Sequence, residues 1–146
     1  ILGTIGSLGL MKSYLKNTFF VSNVDTLVDF EINDFYNFHK KEKNILTLLV
    51  SAKDYVVPYG NCLPSKNGTL KKLTEKPSLS MLVNVGVYLC EPTILRFIEK
   101  NKKMNINDLV TKLKKNKKKI GIYPINKDSW KDLGQWVEYR NSIEQL

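Results

Sequence analysis

Arginine, cysteine and histidine are scarce in this chain. Its arginines are Arg96 and Arg140, its two cysteines lie apart at Cys62 and Cys90, and it has one histidine. Without a Cys-x-x-Cys pair, a thiolate metal site is not indicated, and reduced thiols are expected. No apolar run approaches the roughly 20 residues of a membrane-spanning helix. The apolar opening from Ile1 lacks the basic stretch and cleavage site of a signal peptide. We therefore expect a cytoplasmic location and no membrane association.

The charge balance is strongly basic. Lys and Arg total 23 against 14 Asp and Glu, which gives a net charge of +9. Such an excess can attract polyanions. However, it is almost entirely lysine, whereas arginine is the residue that usually reads bases and holds phosphates with two hydrogen bonds. Aromatic residues such as Phe35 and Trp136 fall at core-like spacings rather than between basic residues. We therefore prefer solvated lysines to a nucleic-acid site, with a basic polyanion-binding module as a rival.

The order of apolar patterns indicates an α/β protein. The length of 146 residues and the 42% hydrophobic content fit one domain with a buried core. A helical pattern lies between two buried-strand patterns, as in a βαβ unit. Strands are predicted at 18–22, 44–50, 68–74, 81–90 and 120–124, and helices at 32–41, 92–100, 107–115 and from residue 133. We predict a Rossmann-like, mixed and mostly parallel sheet flanked by helices, within a single domain over residues 1–146.

Two acidic residues follow predicted strands. Asp25 comes after the first strand, and Asp132 follows the last strand and opens the final predicted helix. Ligands of open α/β sheets bind at the carboxyl ends of the strands. Two carboxylates that converge there could hold Mg²⁺, which takes a few carboxylate oxygens together with substrate phosphates. The pattern alone equally allows Asp25 to cap a turn and Asp132 to cap a helix.

Two further polar motifs could contact a ligand. In Glu75-Lys76-Pro77, the proline should hold Lys76 extended, so that Glu75 and Lys76 point to opposite sides of a short strand. A surface turn is the alternative. Asn84 and Gly86 lie inside an apolar strand, where a buried Asn needs hydrogen bonds and a Gly often marks close approach of a ligand. A structural bulge accounts for them equally well.

The order of the motifs carries more information than any motif alone. The segments are LGTIGSL at 2–8, FVSNVD at 20–25, PYG at 58–60, EKP at 75–77, NVGVY at 84–88 and WKDLG at 130–134. In this order they resemble the sugar-phosphate nucleotidyltransferase family, which includes mannose-1-phosphate guanylyltransferases and glucose-1-phosphate thymidylyltransferases. The resemblance covers nearly the whole chain. It implies formation of a nucleotide sugar and pyrophosphate from a nucleoside triphosphate and a sugar 1-phosphate.

The resemblance also implies residue roles. Asp25 and Asp132 are similar to the family's Mg²⁺ ligands, and Lys76 to its contact with the sugar phosphate. We therefore expect these three residues to be catalytic. The implied substrate-binding residues are Gly3 and Thr4 beside the nucleotide base, and Gly60, Glu75, Asn84 and Gly86 around the sugar.

The chain departs from the family pattern at two places. Val24 stands where the metal motif usually has Gly. The family's glycine-rich loop, with the Arg that holds the triphosphate, would lie upstream of Ile1, so the fold is expected to be incomplete at its N-terminus. We therefore expect the 146-residue chain to be inactive by itself.

Finer expectations concern the substrates and the assembly. The form of the opening motif favours GTP and a hexose or amino-sugar 1-phosphate, in a bacterial pathway for surface or flagellar glycans. A regulatory subunit that binds nucleotide sugar without turnover remains an alternative, and homo-oligomerisation stays open.

Overall fold

The structure, a computed structural model, describes residues 2–134. Three α-helices and eight strands, together with three short 3₁₀ helices, make up this part of the chain. The α-helices are α1 (Gly3–Gly6), α2 (Ile32–Lys41) and α3 (Ile106–Lys115). The strands are β1 (Phe19–Ser22), β2 (Thr26–Val28), β3 (Leu46–Val56), β4 (Asn61–Pro64), β5 (Leu70–Thr74), β6 (Ser78–Cys90), β7 (Ile120–Ile125) and β8 (Trp130–Asp132). The 3₁₀ helices are Ser7–Leu10, Pro92–Phe97 and Lys127–Ser129.

Four strands form the central sheet in the order β1-β6-β3-β7. β6 runs antiparallel to both of its neighbours, β1 and β3, whereas β7 is parallel to β3. β1, β3 and β7 therefore point in one direction and β6 in the other, so the predicted mixed sheet is confirmed. The βαβ order β1-α2-β3 also gives two strands of the same direction, but β6 lies between them.

Apolar side chains fill both faces of this sheet. One face packs against the 3₁₀ helix Pro92–Phe97 and α3, with Ile94, Leu109 and Leu113 fully buried. The other face packs around Phe35 of α2, which is also fully buried. Because strand side chains alternate between faces, β6 contributes to both layers. The result is the helix–sheet–helix layering that the sequence predicts.

Helix ends differ from the sequence predictions. The helix predicted at 92–100 is a 3₁₀ helix that ends at Phe97, although the apolar residues of its pattern are buried. The helix predicted at 107–115 begins one residue earlier, at Ile106, and Asn105 is its N-cap. Asp108 accepts a 2.9 Å hydrogen bond from the Asn105 N–H, as in a capping box. The predicted C-terminal helix lies outside the described residues, apart from its first two positions.

β3 and β6 continue beyond the central sheet as a two-stranded ribbon. Residues 51–56 pair with residues 78–83, and the separate hairpin β4–β5 lies between these two segments in sequence. The sequence predicts shorter versions of both long strands, because their outer halves lose the continuous apolar pattern of a buried strand. Within residues 2–134, no helix combines the length and the apolar character needed to cross a membrane.

Candidate active site

A short strand pair brings the two predicted metal-binding carboxylates together. Asp25 lies in the turn between β1 and β2, and Asp132 is the last residue of β8. β2 and β8 pair antiparallel with Thr26 opposite Asp132, and the Leu133 N–H donates a 2.9 Å hydrogen bond to the Asp25 carbonyl. A Cβ at Gly134 would lie 2.9 Å from Asp25 Oδ2 and 3.1 Å from Asp132 Oδ1. Both carboxylates therefore face the same small space above Gly134.

The secondary structure around Asp132 differs from its prediction. Asp132 ends a strand instead of opening a helix, because its backbone is committed to pairing with β2. Its Oδ1 accepts a hydrogen bond of 3.1 Å from the Gly134 N–H, so the carboxylate orients the turn that follows. The pairing of β2 with β8 joins residues more than 100 positions apart, and a local sequence pattern does not reveal such a contact.

A bulge in β6 presents the second polar motif. Leu48 is opposite Tyr88 and Val50 is opposite Asn84, so three residues of β6 face one residue of β3. Gly86 takes φ +83° at this point, in the left-handed region that favours glycine. The sequence left open a bulge or a close approach, and the structure shows the bulge.

The Asn84 side chain closes this bulge. Its Nδ2 donates to the Tyr88 hydroxyl at 2.7 Å, and its Oδ1 accepts from the Gly86 N–H at 3.1 Å. Asn84 is exposed and not buried, contrary to the expectation from its apolar neighbours. A carboxamide has two N–H donors and two acceptor lone pairs, so one donor and one acceptor position remain for a ligand.

The two motifs line one cavity. The loop after β1 is joined to the bulge by a 2.9 Å hydrogen bond from the Asn23 N–H to the Gly86 carbonyl and by a 3.1 Å hydrogen bond from the Thr26 hydroxyl to the Val85 carbonyl. The cavity has a volume of about 200 Å³. Its lining consists of Asn23, Asp25, Thr26, Asn84, Val85, Gly86, Trp130 and Asp132. Four predicted site residues, Asp25, Asp132, Asn84 and Gly86, are thus brought together.

A second group of predicted residues lies at the base of the β4–β5 hairpin. Gly60 and Glu75 are adjacent there, since a Cβ at Gly60 would lie 3.0 Å from Glu75 Oε2. Lys76 is exposed and has φ +42°, so the predicted extended conformation is wrong. The chain bends at Glu75 and Lys76 between β5 and β6, and the Pro77 carbonyl then accepts a 2.9 Å hydrogen bond from the Val57 N–H. A left-handed residue before proline is uncommon and marks local strain.

The remaining predicted residues lie beside α3. The Thr4 hydroxyl accepts a 3.2 Å hydrogen bond from the Ile106 N–H at the first turn of this helix. Gly3 has φ +73°, and a Cβ there would be 2.7 Å from the Met104 carbonyl oxygen. Among the described residues, the lining of the cavity with Asp25 does not include Gly3 or Thr4. The contacts that the structure shows for these two residues are structural.

Sequence reasoning missed four residues of the cavity, namely Asn23, Thr26, Val85 and Trp130. Thr26 and Asn23 connect the Asp25 loop to the bulge, and their proximity in sequence to Asp25 is the only available signal. Trp130 belongs to the WKDLG motif but was not predicted as a site residue. Its Nε1 is buried without a hydrogen-bond partner in the described part of the chain, and the Lys53 ammonium lies 5.4 Å from the centre of its ring.

The oxygen donors of the cavity fit a magnesium ion. Mg²⁺ binds to proteins through one or two carboxylates and takes its other ligands from water and substrate phosphates. Asp25 and Asp132 supply two such carboxylates around a space that a single Cβ would fill. Within residues 2–134 no group of three or more His, Cys, Asp or Glu side chains is arranged as a metal site. The donor set thus suits a metal that arrives with phosphate and not a metal that the protein alone encloses.

Known proteins match both the sequence and the fold. The sequence profile of the family described as nucleotidyl transferase matches residues 2–146. Mannose-1-phosphate guanylyltransferase catalytic subunit beta of Drosophila pseudoobscura pseudoobscura is 35% identical over 103 residues, 67% of this chain and 28% of that protein. UTP–glucose-1-phosphate uridylyltransferase of Synechocystis is 27% identical over 97% of this chain and 39% of its own length. The chain belongs to the sugar-phosphate nucleotidyltransferase family.

The solved structures support the same fold. HddC from Yersinia pseudotuberculosis has a TM-score of 0.69 at 20% identity, covering 99% of this chain and 62% of that protein. A structure of HddC with GMP-PN matches equally well, with a TM-score of 0.69. The present chain thus spans 28–39% of the two curated relatives and 62% of HddC.

Proposed function

We propose that this chain forms the metal- and sugar-binding part of a sugar-1-phosphate nucleotidyltransferase. The observation that carries the proposal is the convergence of Asp25 and Asp132 on Gly134, in a cavity that also contains the Asn84–Gly86 bulge. This combination would supply oxygen ligands for a metal beside hydrogen-bonding groups for a polyhydroxylated substrate. Membership in the nucleotidyl transferase family supports the assignment.

The proposed reaction needs no covalent enzyme intermediate. An oxygen of the sugar 1-phosphate attacks the α-phosphorus of the nucleoside triphosphate in line. A new bond forms between this oxygen and the α-phosphorus. The bond between the α-phosphorus and the oxygen that bridges to the β-phosphate breaks, and pyrophosphate leaves with the electron pair of the broken bond. Positioning and charge neutralisation then provide most of the rate acceleration.

The residues of this chain supply the positioning. Asp25 and Asp132 would hold Mg²⁺, which neutralises phosphate charge when it is bound. Asn84 would use its remaining donor and acceptor positions for sugar hydroxyls, and the exposed Lys76 ammonium would contact the sugar phosphate. Gly60 and Glu75 would bind the sugar from the hairpin side, while Gly3 and Thr4 would flank the base.

Finer features belong to the same proposal. Relatives from flies, slime mould and plants are named mannose-1-phosphate guanylyltransferases, which supports GTP together with a hexose or amino-sugar 1-phosphate. A bacterial surface-glycan or flagellar-glycan pathway and a cytoplasmic location are consistent with such substrates. Homo-oligomerisation is tested directly by a measurement of the mass of the protein in solution.

Pyrophosphate release by the intact protein tests the proposal. Four nucleoside triphosphates are offered with Mg²⁺ against the 1-phosphates of mannose, glucose, glucosamine and N-acetylglucosamine. Asp25→Asn should lower the rate roughly 100-fold or more, because it removes a charged ligand from the transition-state environment. Asp128→Asn is the matched control, since Asp128 lies in a neighbouring 3₁₀ helix and does not line the cavity.

The outcomes separate the hypotheses. Release with one substrate pair, lost in Asp25→Asn and retained in Asp128→Asn, establishes the enzyme and identifies its substrates. Nucleotide-sugar binding without release by the folded protein would favour the regulatory subunit. In the same assay, we expect the intact protein to release pyrophosphate and the 146-residue chain by itself to release none. Robust turnover by the 146-residue chain would overturn that expectation.

A further inference from the structure

A second cavity lies at the opposite edge of the central sheet. Phe19, Cys90, Leu46 and Ile120 are aligned across the four strands. β1, β3 and β7 begin at this line and β6 ends there, so the segments that precede or follow these strands meet at one edge. This is the amino edge of the three co-directional strands, and the candidate active site lies at their carboxyl edge.

Three cations from two of these segments surround a groove of about 330 Å³. We call it the basic groove, and its lining consists of Lys12, Leu15, Lys16, Pro92, Thr93, Leu95 and Arg96. Its cations come from the turn before β1 and from the 3₁₀ helix after β6. Its remaining residues are one hydroxyl and three apolar side chains, so the groove combines a charged rim with an apolar floor.

Both segments of the basic groove are held in place by the fold. The Leu15 N–H donates a 3.1 Å hydrogen bond to the Met11 carbonyl, which closes a single turn that contains Lys12, and Lys16 follows this turn directly. On the other side, Leu95 is buried in the core next to Arg96 and anchors it. The cations are therefore presented by ordered backbone.

The three cations of the basic groove have no acidic partner in the described part of the chain. Within residues 2–134, none of Lys12, Lys16 and Arg96 forms an ion pair with an acidic side chain. The nearby Glu91 carboxylate is already bound by the Lys40 ammonium at 2.6 Å. Like charges around one cavity repel each other, and a bound anion relieves this repulsion.

Helix ends account for only part of the basic groove. Lys43 and Lys117–Lys119 line a neighbouring cavity that shares Thr93, and they follow the C-terminal ends of α2 and α3. Cations are favourable at such helix ends without any ligand. In the basic groove, Arg96 lies in the last turn of the 3₁₀ helix Pro92–Phe97 and Lys12 follows the 3₁₀ helix Ser7–Leu10. No described helix ends at Lys16, and only the groove brings the cations of these separate segments together.

We propose that the basic groove binds a phosphorylated small molecule. Lys12, Lys16 and Arg96 would surround the phosphate, with the Thr93 hydroxyl as an additional hydrogen-bond partner, and the apolar floor would contact the rest of the ligand. The groove's volume lies at the lower end of the range for small-ligand pockets. Nucleic acid fits less well, because no aromatic side chain lines the groove for base stacking. The inference does not depend on the proposed enzymatic function.

Calorimetric titration of the intact protein with inorganic pyrophosphate tests this proposal. EDTA is present, so that magnesium-dependent binding at the candidate active site is suppressed. We expect saturable binding that Arg96→Gln weakens about fivefold and the double variant Lys12→Gln, Arg96→Gln weakens at least tenfold. Lys66 lies in the turn between β4 and β5 and does not line the groove. Lys66→Gln also removes one positive charge, and it should change the affinity for pyrophosphate less than twofold.

Two further variants keep the result interpretable. Asp25→Asn should leave pyrophosphate affinity in EDTA unchanged within twofold, which separates the basic groove from the candidate active site. Arg96→Lys should bind with intermediate affinity, because lysine keeps the charge but loses the two-pronged hydrogen bonding of arginine. Non-saturable binding, or equal losses in Lys66→Gln and Arg96→Gln, would overturn the proposal. So would unchanged affinity in a correctly folded double variant.

Discussion

The two edges of the central sheet handle carboxylates in different ways. At the carboxyl edge, backbone pairing of β2 with β8 brings Asp25 and Asp132 together around a cavity. At the amino edge, Glu91 Oε1 contacts the Lys40 ammonium at 2.6 Å, the Thr18 hydroxyl at 3.0 Å and His39 Nε2 at 3.2 Å. One arrangement brings two carboxylates to a common cavity, and in the other a single carboxylate is engaged by three groups of the protein.

The amino-edge arrangement extends into the core. His39 is fully buried, and its Nδ1 lies 2.6 Å from the Thr47 hydroxyl, which also accepts a 3.1 Å hydrogen bond from Asn44. Burial lowers the pKa of His39, although the neighbouring Glu91 carboxylate acts in the opposite direction. Burial works against ionised Glu91, but hydrogen bonds from Lys40 and Thr18 prevail and lower its pKa. The comparison predicts that replacing Asp25 or Asp132 affects catalysis, whereas replacing Glu91 or His39 affects stability.

The largest expected effect tests how rigidly the carboxyl edge is built. In Gly86→Ala, the new Cβ would lie 2.5 Å from Asn23 Nδ2, and the residue would keep φ +83°. Gly68→Ala is the matched control, since Gly68 has φ +82° but no atom within 4 Å of the new Cβ. Backbone strain should cost about 1–2 kcal/mol in both variants, and the clash should add about 1–3 kcal/mol in Gly86→Ala. Urea unfolding measures the difference, and equal losses would show that the Asn23 contact yields easily.

The next effect concerns the stability of the amino edge. Glu91→Gln replaces a charged acceptor of three hydrogen bonds and should lower the free energy of unfolding by about 1–3 kcal/mol. Glu42→Gln provides the control, because Glu42 forms an exposed pair with Lys119 at 2.8 Å, and such pairs contribute little. Chemical denaturation of both variants checks this ranking. Comparable losses would mean that the buried contacts of Glu91 add nothing beyond a surface ion pair.

A smaller effect is expected where the carboxylates meet. Gly134→Ala would place a Cβ 2.9 Å from Asp25 Oδ2 and 3.1 Å from Asp132 Oδ1, within the space proposed for Mg²⁺. We expect the Mg²⁺ concentration for half-maximal pyrophosphate release to rise by roughly three- to tenfold, or about 1 kcal/mol. The thermal midpoint should change little, since Gly134 is exposed. An unchanged magnesium requirement would show that the metal does not occupy this space.

The smallest effect is a dependence of stability on pH. The pKa of His39 is lower in the folded protein than its ordinary value of 6.5, so the unfolded chain binds more protons as the pH falls below 6.5. Stability is therefore lost on acidification, with a slope of at most about 1.4 kcal/mol per pH unit. The lowered pKa of Glu91 adds a further loss below its ordinary value of 4.5.

Denaturation of the wild-type protein and of His39→Gln between pH 8 and pH 5 measures the histidine contribution. Lys40 and Glu91 remain in the variant, so its flatter profile isolates the imidazole. Stability that rises on acidification, or identical slopes in the two proteins, would show that His39 is not held neutral.

Local patterns predicted much of the fold and part of the site. Phe35, Ile94, Leu109 and Leu113 occupy the core because apolar residues at helical spacing share one face. The strands of the central sheet follow from short β-rich runs. The conformation of Lys76 and the strand that contains Asp132 were predicted wrongly, since both segments form hydrogen bonds with distant parts of the chain.

The sequence by itself determined the α/β class, the family and the residue types that could bind a metal and a sugar phosphate. Only the tertiary structure decided that Asp25 and Asp132 face one space and that Asn84 closes a bulge. It also decided that Lys12, Lys16 and Arg96, which form no ion pair within residues 2–134, surround one groove. The physical reason is the range of the interactions involved. Side-chain periodicity and turn preferences act over a few residues, whereas the pairing of β2 with β8 joins positions more than 100 residues apart.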